Sequence, residues 1–198
     1  RRVLFRSNLW IPQGEKLLQM MLNATLMRPV GEDLGVIPDE VRASMAFLAI
    51  PGTKVIRWER NWKENGEFIP YDQYPELSLT CVSTHDSEPL KLWWQRQPEE
   101  VQAFCKFKGW IKTTELFPNM IKSILYDSHH TNSRMAVNLL PEYLSIVPEL
   151  TYDNPEQDRI NVPGTVTEKN WTYRIKPFIE EMTSNQELND AIEEILNP

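Results

Sequence analysis

Short apolar segments alternate with amphipathic segments along most of this chain. The apolar segments have the length and the β-branched and aromatic content of buried strands. They cover residues 26–30, 53–58, 77–82 and 135–140. In the stretches between them, apolar residues recur at the three- and four-residue spacing of a helix face. This order predicts an α/β fold in which helices surround a parallel sheet.

The helix signals are local. The proline and two acids of residues 38–40 (PDE) predict a helix start, and Val41, Met45 and Leu48 then form its buried stripe. Residues 184–187 (SNQE) match a capping box and predict the start of the last helix. Further helices are predicted to end at 17–22, to begin near 87–89, and to cover 98–107 and 115–126, the last interrupted by a proline.

Composition removes several function classes. The net charge of −7 and the isoelectric point near 5.1 argue against nucleic acid as a partner, because a phosphate backbone calls for a basic face. Cys81 and Cys105 both lie in apolar sequence, which favours neither a disulfide scaffold nor a zinc site and suits a reducing cytoplasm. No apolar run reaches the roughly 18 to 20 residues of a membrane span. The sequence indicates no metal and no cofactor.

The first seven residues differ from the rest. Residues 1–7 (RRVLFRS) have neither helical nor strand periodicity and resemble a translated sequencing adapter. We therefore expect them to be a non-native segment that is extended or poorly ordered, with a basic N-terminal arm as the alternative. The remaining residues, 8–198, are expected to form part of one domain.

Two acidic segments follow predicted strands. Glu32 and Asp33 come directly after residues 26–30, and Asp86 follows residues 77–82. Enzymes with a (β/α)8 barrel carry their chemistry on loops at the carboxyl ends of parallel strands. Each acid taken alone would also fit an ordinary turn or helix cap. A complete barrel needs roughly 250 residues, so 198 residues with four strands predict half of a TIM (β/α)8 barrel in a truncated chain. The adapter-like start of the chain makes this the expected C-terminal half of a TIM (β/α)8 barrel.

Several motifs occur in the order of a known family. Residues 31–37 (GEDLGVI), 50–55 (IPGTKV), 83–86 (STHD), 159–165 (RINVPGT) and 170–174 (NWTYR) resemble those of the amylomaltases. These are 4-α-glucanotransferases, or disproportionating enzymes, of glycoside hydrolase family 77. The resemblance covers most of residues 24–175. It implies retaining transfer of a 1,4-α-glucan segment from a maltodextrin donor to a new 4-hydroxyl on glucose, maltose or maltodextrin.

The resemblance also implies roles for individual residues. Glu32 would be the general acid/base, and Asp86 would bind sugar hydroxyls and stabilise the transition state. His85 would donate a hydrogen bond to the sugar, Trp58 would lie near the acceptor site, and Asn161 would bind sugar. The family's nucleophile, an aspartate in an Arg-x-Asp-His motif, has no counterpart before Glu32. We therefore expect this chain alone to be inactive.

Other readings remain open. An α-amylase-like retaining hydrolase would need the same pair of carboxylates, and a non-catalytic carbohydrate-binding fragment would also use tryptophans. Trp93 and Trp94 lie in a helical pattern and are expected to pack in the core. The adjacent histidines at 129 and 130 lack the spacing of metal ligands and are expected in a plain loop. Whether Arg57 and Arg60 face acids or solvent is undecided by the sequence.

Overall fold

The structure is a computed structural model that describes residues 7–197. Short 3-10 turns at Tyr71–Gln73, Pro148–Leu150 and Pro155–Asp158 supplement its helices and strands. In chain order the helices and strands are α1 (Ser7–Ala24), α2 (Asp39–Phe47), β1 (Gly52–Val55), β2 (Ser78–Cys81), α3 (Leu90–Arg96), α4 (Pro98–Lys108), α5 (Pro118–His129), β3 (Met135–Ala136), α6 (Leu140–Leu144), α7 (Ile179–Ser184) and α8 (Gln186–Leu196). Between residues 7 and 197, no helix combines the length and apolar character that a bilayer crossing needs.

The sheet is parallel, as the alternation of elements predicted. Its strand order is β1-β2-β3, with Gly52 opposite Ser78 and Leu79 opposite Met135. Gly31 adds one parallel bridge to Gly52 on the outer side of β1. Helices α3, α4 and α5 connect β2 to β3, which is the long crossover that parallel neighbours require. The carboxyl ends of the strands therefore point to the same edge of the sheet.

Helices α3, α4, α5 and α8 share one apolar core with the residues that follow the strands. Trp93 and Trp94 are each 2% exposed, which confirms their predicted packing role. Their indole N–H groups donate to the Glu100 carboxylate at 2.8 Å and to the Thr113 carbonyl at 3.1 Å, so burial leaves neither donor unpaired. Other members of this core are Ile56, Val82, Val101, Phe104, Ile121, Ile124, Leu125 and Ile195.

The predicted helix after residue 38 is confirmed. It is α2, and its Met45 and Leu48 are buried with Ile50, while Val41 packs against them from a partly buried position. Leu18 and Leu22 of α1 complete this smaller cluster. The apolar stripe of α2 thus joins the first helix to the start of β1.

The predicted strand at 26–30 is wrong. Leu26 is fully exposed and Met27 is 75% exposed, and pairing is confined to the bridge at Gly31. A strand gains stability from cross-strand neighbours and from a layer packed on its face. In the described structure these side chains have neither, so the apolar run does not become a strand.

The other strands exist but are shorter than predicted. β1 ends at Val55 because the N–H groups of Trp58 and Glu59 both donate to the Val55 carbonyl, at 2.8 and 3.2 Å, and turn the chain. β3 ends at Ala136, and Pro141 soon supplies the first turn of α6, where a missing N–H is tolerated. The predicted strand at 135–140 is therefore confirmed at Met135 and Ala136 and wrong for residues 137–140.

The last helix begins one residue later than the capping box predicts. The Asn185 side chain accepts a hydrogen bond from Leu188 N–H at 2.8 Å and is the N-cap of α8. The Ser184 hydroxyl instead donates to the Glu180 carbonyl at 2.7 Å, within α7. Ser184 is thus already used by the preceding helix.

The predicted non-native segment 1–7 lies outside the described residues, apart from Ser7. Ser7 is the first residue of α1 and is helical rather than extended. The rest of that prediction is untested.

Candidate active site

The loop that follows β2 carries the first candidate residues. It is fixed at its start by Val82, whose N–H donates to the Asn138 side chain at 2.9 Å. Within the loop, the Ser87 hydroxyl accepts from Thr84 N–H at 2.8 Å, and Ser87 N–H donates to the Thr84 carbonyl at 3.1 Å. These bonds close a tight turn around His85 and Asp86. Both side chains are partly open to solvent, with 40% and 41% of their surface exposed.

Asp86 lies in a compact polar cluster. The Asn161 amide donates to Asp86 Oδ1 at 2.6 Å, and His85 Nε2 lies 3.4 Å from the same oxygen. The backbone completes the arrangement, because Asn161 N–H donates to the His85 carbonyl at 3.1 Å. Three residues that were predicted to bind sugar are thus in direct contact, although 75 positions separate Asp86 from Asn161. Among residues 7–197, the hydrogen bonds of the Asp86 carboxylate are to Oδ1, and Oδ2 can accept from an additional donor.

An exposed aromatic ring borders this cluster. The Trp171 ring centroid is 5.0 Å from the centroid of the His85 ring, at an interplanar angle of 42°. The backbone N–H of Trp171 donates to the carbonyl of Ile160 at 2.9 Å, and Ile160 is the residue that precedes Asn161. The Trp171 φ angle is +64°, in the left-handed region that non-glycine residues rarely adopt.

A buried arginine also contacts this loop. The Arg57 side chain donates through Nη2 to the Ser87 hydroxyl at 2.9 Å and to the Glu88 carbonyl at 2.6 Å. Its guanidinium carbon is 5.3 Å from the Trp58 ring centroid and 5.2 Å from that of Trp93. Burial lowers the pKa of Arg57 to about 10, against the opposing effect of nearby carboxylates. Arg57 therefore remains charged at neutral pH, and its hydrogen bonds help to hold the loop in place.

A buried glutamate contacts the loop at its beginning and at its end. Glu142, at the start of α6, is 2% exposed and accepts hydrogen bonds from the Ser83 hydroxyl and from Leu90 N–H. Burial raises the pKa of this carboxyl, while the Ser83 bond and the Arg57 charge oppose the rise. Leu90 is the first residue of α3, so Glu142 ties the beginning of the loop to the helix that follows it.

The two acids after Gly31 have different environments. Asp33 is 6% exposed, accepts from Thr53 N–H at 2.8 Å, and forms ion pairs with Arg42 at 3.1 Å and Lys54 at 3.7 Å. Its role is to hold this segment against β1. Glu32 is exposed.

Glu32 lies close enough to β2 for its charge to act there. Burial raises the pKa of the Cys81 thiol to about 12, and the Glu32, Glu142 and Glu59 carboxylates contribute to the rise, against the charge of Arg57. Cys81 is the last residue of β2. In the structure Glu32 directly follows the parallel bridge between Gly31 and Gly52, at the outer edge of β1.

Trp58 lies outside the contacts that join His85, Asp86 and Asn161. It is half-buried in the turn after β1, beside the Arg57 guanidinium. Its role, like those of Glu32, His85, Asp86 and Asn161, stays a prediction. The sequence carried no signal for Glu142, and it left the environment of Arg57 undecided. Trp171 lies in the motif at 170–174, but no role was predicted for it.

The histidine pair is not a plain loop. His129 is the last residue of α5 and its Nε2 is 2.6 Å from the Tyr143 hydroxyl, while His130 Nδ1 is 2.8 Å from the Tyr126 carbonyl. These partners use the ring nitrogens for structure. Within residues 7–197, no group of three or more His, Cys, Asp or Glu side chains has the arrangement of a metal site.

The fold matches parts of solved enzymes. An amylomaltase from Corynebacterium glutamicum aligns with 86% of this chain and 29% of its own at a TM-score of 0.62 and 17% identity. The amylomaltase from Streptococcus agalactiae, solved with acarbose, aligns with 84% of this chain and 30% of its own at a TM-score of 0.60 and 22% identity. Amylomaltases are TIM-barrel enzymes, so the fold of this chain is similar to one part of a TIM-barrel enzyme.

Sequence comparison identifies the family. The profile described as 4-alpha-glucanotransferase, for glycoside hydrolase family 77, matches residues 6–181, and the chain belongs to this family. The 4-alpha-glucanotransferases of Chlamydia muridarum and Chlamydia caviae are 45% and 44% identical to it over 183 and 188 residues. These alignments include 92% and 95% of this chain but 35% and 36% of the relatives, so the chain spans about a third of their length.

Proposed function

We propose that this chain is part of a retaining 4-α-glucanotransferase. In this role it helps to transfer a 1,4-α-glucan segment to a 4-hydroxyl of glucose or of another maltodextrin. The observation that carries the proposal is the contact of Asp86 with Asn161 and His85 after β2, in a chain of the 4-alpha-glucanotransferase family. An aspartate, an amide and an imidazole offer acceptors and donors that suit sugar hydroxyls.

Glu32 is assigned as the general acid/base. It donates its proton to the glycosidic oxygen as the bond from that oxygen to the anomeric carbon breaks, and a carboxylate nucleophile forms an ester bond to that carbon. In the second half, Glu32 takes the proton of the acceptor 4-hydroxyl, whose oxygen displaces the carboxylate. The exposure of Glu32 and the parallel bridge from Gly31 to Gly52 that precedes it support this assignment.

Asp86 is assigned to the sugar unit that reacts. Asn161 donates to Oδ1 of Asp86, and His85 lies close to the same oxygen, so together they orient the carboxylate. Oδ2 of Asp86 accepts from hydroxyls of the sugar ring. These bonds strengthen as positive charge develops on the sugar. The nucleophile is assigned to a part of the enzyme outside this chain, so the chain alone is expected to be inactive.

The structural side of the proposal is a C-terminal half of a TIM (β/α)8 barrel over residues 8–198. The parallel register of β1, β2 and β3, the bridge at Gly31 and the alignment with amylomaltases support it. The substrate is a maltodextrin or longer α-glucan, and the acceptor is glucose or maltose. Cys81 and Cys105 are free and buried, which suits a cytoplasmic enzyme.

Product analysis with maltotriose tests the proposal. The full-length protein is expected to yield glucose together with longer dextrins, and the purified chain alone is expected to yield neither. Glucose and maltose without longer products would instead indicate an α-amylase-like hydrolase. Binding of maltotriose without turnover by the full-length protein would indicate a carbohydrate-binding protein.

A further inference from the structure

Trp171 combines three properties that packing within residues 7–197 does not explain. Its side chain is 65% exposed, its backbone has a φ of +64°, and its ring lies 5.0 Å from that of His85. A large apolar ring left in water gains little from folding. A non-glycine residue in the left-handed region adds a conformational cost. Such a combination persists where the surrounding structure imposes it.

The surrounding turn does impose it. The Asn170 side chain donates to the Thr165 carbonyl at 3.0 Å, and Thr172 N–H donates to the Lys169 carbonyl at 3.3 Å. Trp171 N–H is itself held by the Ile160 carbonyl at 2.9 Å. The backbone that carries the indole is thus held beside the residues that contact Asp86.

Two other tryptophans that follow β1 are arranged differently. Trp58 is half-buried, with the Arg57 guanidinium carbon 5.3 Å from its ring centroid. Trp62 is 71% exposed, but its ring is paired with the Arg60 guanidinium at 5.2 Å. Of these three tryptophans, Trp171 is the one whose exposed ring lies beside His85 of the candidate site.

We propose that the Trp171 ring is a stacking platform for a glucose unit of the α-glucan, next to the unit held by Asp86 and Asn161. This inference rests on the proposed function. The C–H face of a glucose ring is apolar and slightly positive, so it complements the negative face of an indole. Its hydroxyl edge remains free to bond to His85.

A platform of this kind binds ground state and transition state alike. Its loss should therefore raise KM for the glucan and leave kcat nearly unchanged. The expected change in affinity is about tenfold, in the range of aromatic contacts. A structural role would instead reduce kcat and stability together.

The test compares Trp171→Ala, Trp171→Phe and Trp171→Gly in the full-length protein. Calorimetry with maltoheptaose and transfer kinetics with maltotriose are measured for each variant. The Ala and Gly variants are expected to bind maltoheptaose about tenfold more weakly and to show a similar rise in KM, and Phe should retain most of the affinity. The Gly variant should melt a few degrees above the Ala variant, because glycine accepts a positive φ.

Val166→Ala is the matched control. Val166 is fully exposed in the same loop, so this variant should bind and react as the wild type does. Unchanged maltoheptaose affinity in Trp171→Ala would overturn the platform, even if the wild type transfers. Loss of affinity in Trp171→Phe equal to that in Trp171→Ala would also overturn it. Weaker binding by Trp171→Ala in a protein without transferase activity would support the platform and remove the proposed reaction.

Discussion

At the scale of single residues, the contact between Asp86 and Asn161 has the clearest functional consequence. Asp86→Asn removes the negative charge that faces the sugar, and we expect transfer from maltotriose to fall by about 10²–10³-fold in kcat/KM. Asn161→Ala frees Oδ1 of Asp86, which accepts from Asn161 at 2.6 Å, and should cost about tenfold. Since the two residues act through one hydrogen bond, the double variant should be less impaired than the product of the single effects. Additive losses in this double-mutant cycle would show that the two residues act independently.

Asp158 gives a pH-dependent prediction. It is 6% exposed, and burial raises its pKa to about 6, against the lowering effect of Lys91, of the Tyr173 hydrogen bond and of Lys176. A carboxyl with a folded pKa above its unfolded value binds its proton more tightly when folded. Its contribution to stability is therefore present at pH 4, falls as the pH rises towards 6, and is lost above that value.

Asp158→Asn should remove this dependence. From pH 4 to pH 7 the unfolding free energy of the wild type should decrease by about 2 kcal/mol relative to that of the variant. Thermal or urea unfolding at several pH values measures the difference, and Asp72→Asn, at an exposed position, serves as control. Parallel stability profiles for wild type and Asp158→Asn would contradict the prediction.

The residues that sequence could and could not reveal differ in physical type. Asp86, His85 and Asn161 were recognisable because they lie in motifs, and the structure places them in contact. Arg57 and Glu142 are charged residues that are buried, and the identity of a charged residue does not show whether it faces solvent or the core. Their burial follows from contacts between distant segments, such as Ser83 with Glu142, 59 positions apart.

At the scale of elements, the start of β1 depends on a close approach. A Cβ atom on Gly52 would lie 2.6 Å from Asp33 Oδ1, the atom that accepts from Thr53 N–H. Gly52→Ala should displace the Asp33 carboxylate, disturb the segment that carries Glu32, and reduce the unfolding free energy by about 2 kcal/mol.

Gly14→Ala is the matched control for this prediction. A Cβ atom on Gly14 meets nothing within 4 Å in α1, so this change should stabilise the protein by about 0.5–1 kcal/mol. Urea unfolding of both variants measures the contrast. Equal stability of Gly52→Ala and wild type would show that Asp33 yields without cost.

Elements were predicted well where their own side chains determine them. The stripe of Val41, Met45 and Leu48 identified α2, because helix burial follows a local period. The segment 26–30 failed because a strand also needs a neighbour, and a sequence window does not contain its neighbour. The single bridge of this region, between Gly31 and Gly52, comes directly after that segment.

At the scale of the whole molecule, the alternation of strands and helices predicted a parallel α/β arrangement, and the register of β1, β2 and β3 confirms it. The half-barrel remains a proposal, because closure depends on strands that would have to pair beyond the sheet described here. The same reasoning applies to the catalytic nucleophile. Transfer by the full-length protein, with none by this chain alone, would support the assignment of the nucleophile.

The central claim is that Glu32 donates the proton to the leaving oxygen. A donor whose leaving group needs no proton separates this role from all others, and α-maltotriosyl fluoride is such a donor. Glu40, exposed in the first turn of α2, provides the control variant Glu40→Gln, which should react as the wild type does.

The decisive measurement compares Glu32→Gln with wild type, in the full-length protein, on maltotriose and on α-maltotriosyl fluoride. We predict that the variant loses transfer from maltotriose by about 10³-fold or more, while its first-turnover release of fluoride falls by less than about tenfold. An equal and large loss with both donors would contradict the role of proton donor, and undiminished transfer from maltotriose would remove Glu32 from catalysis.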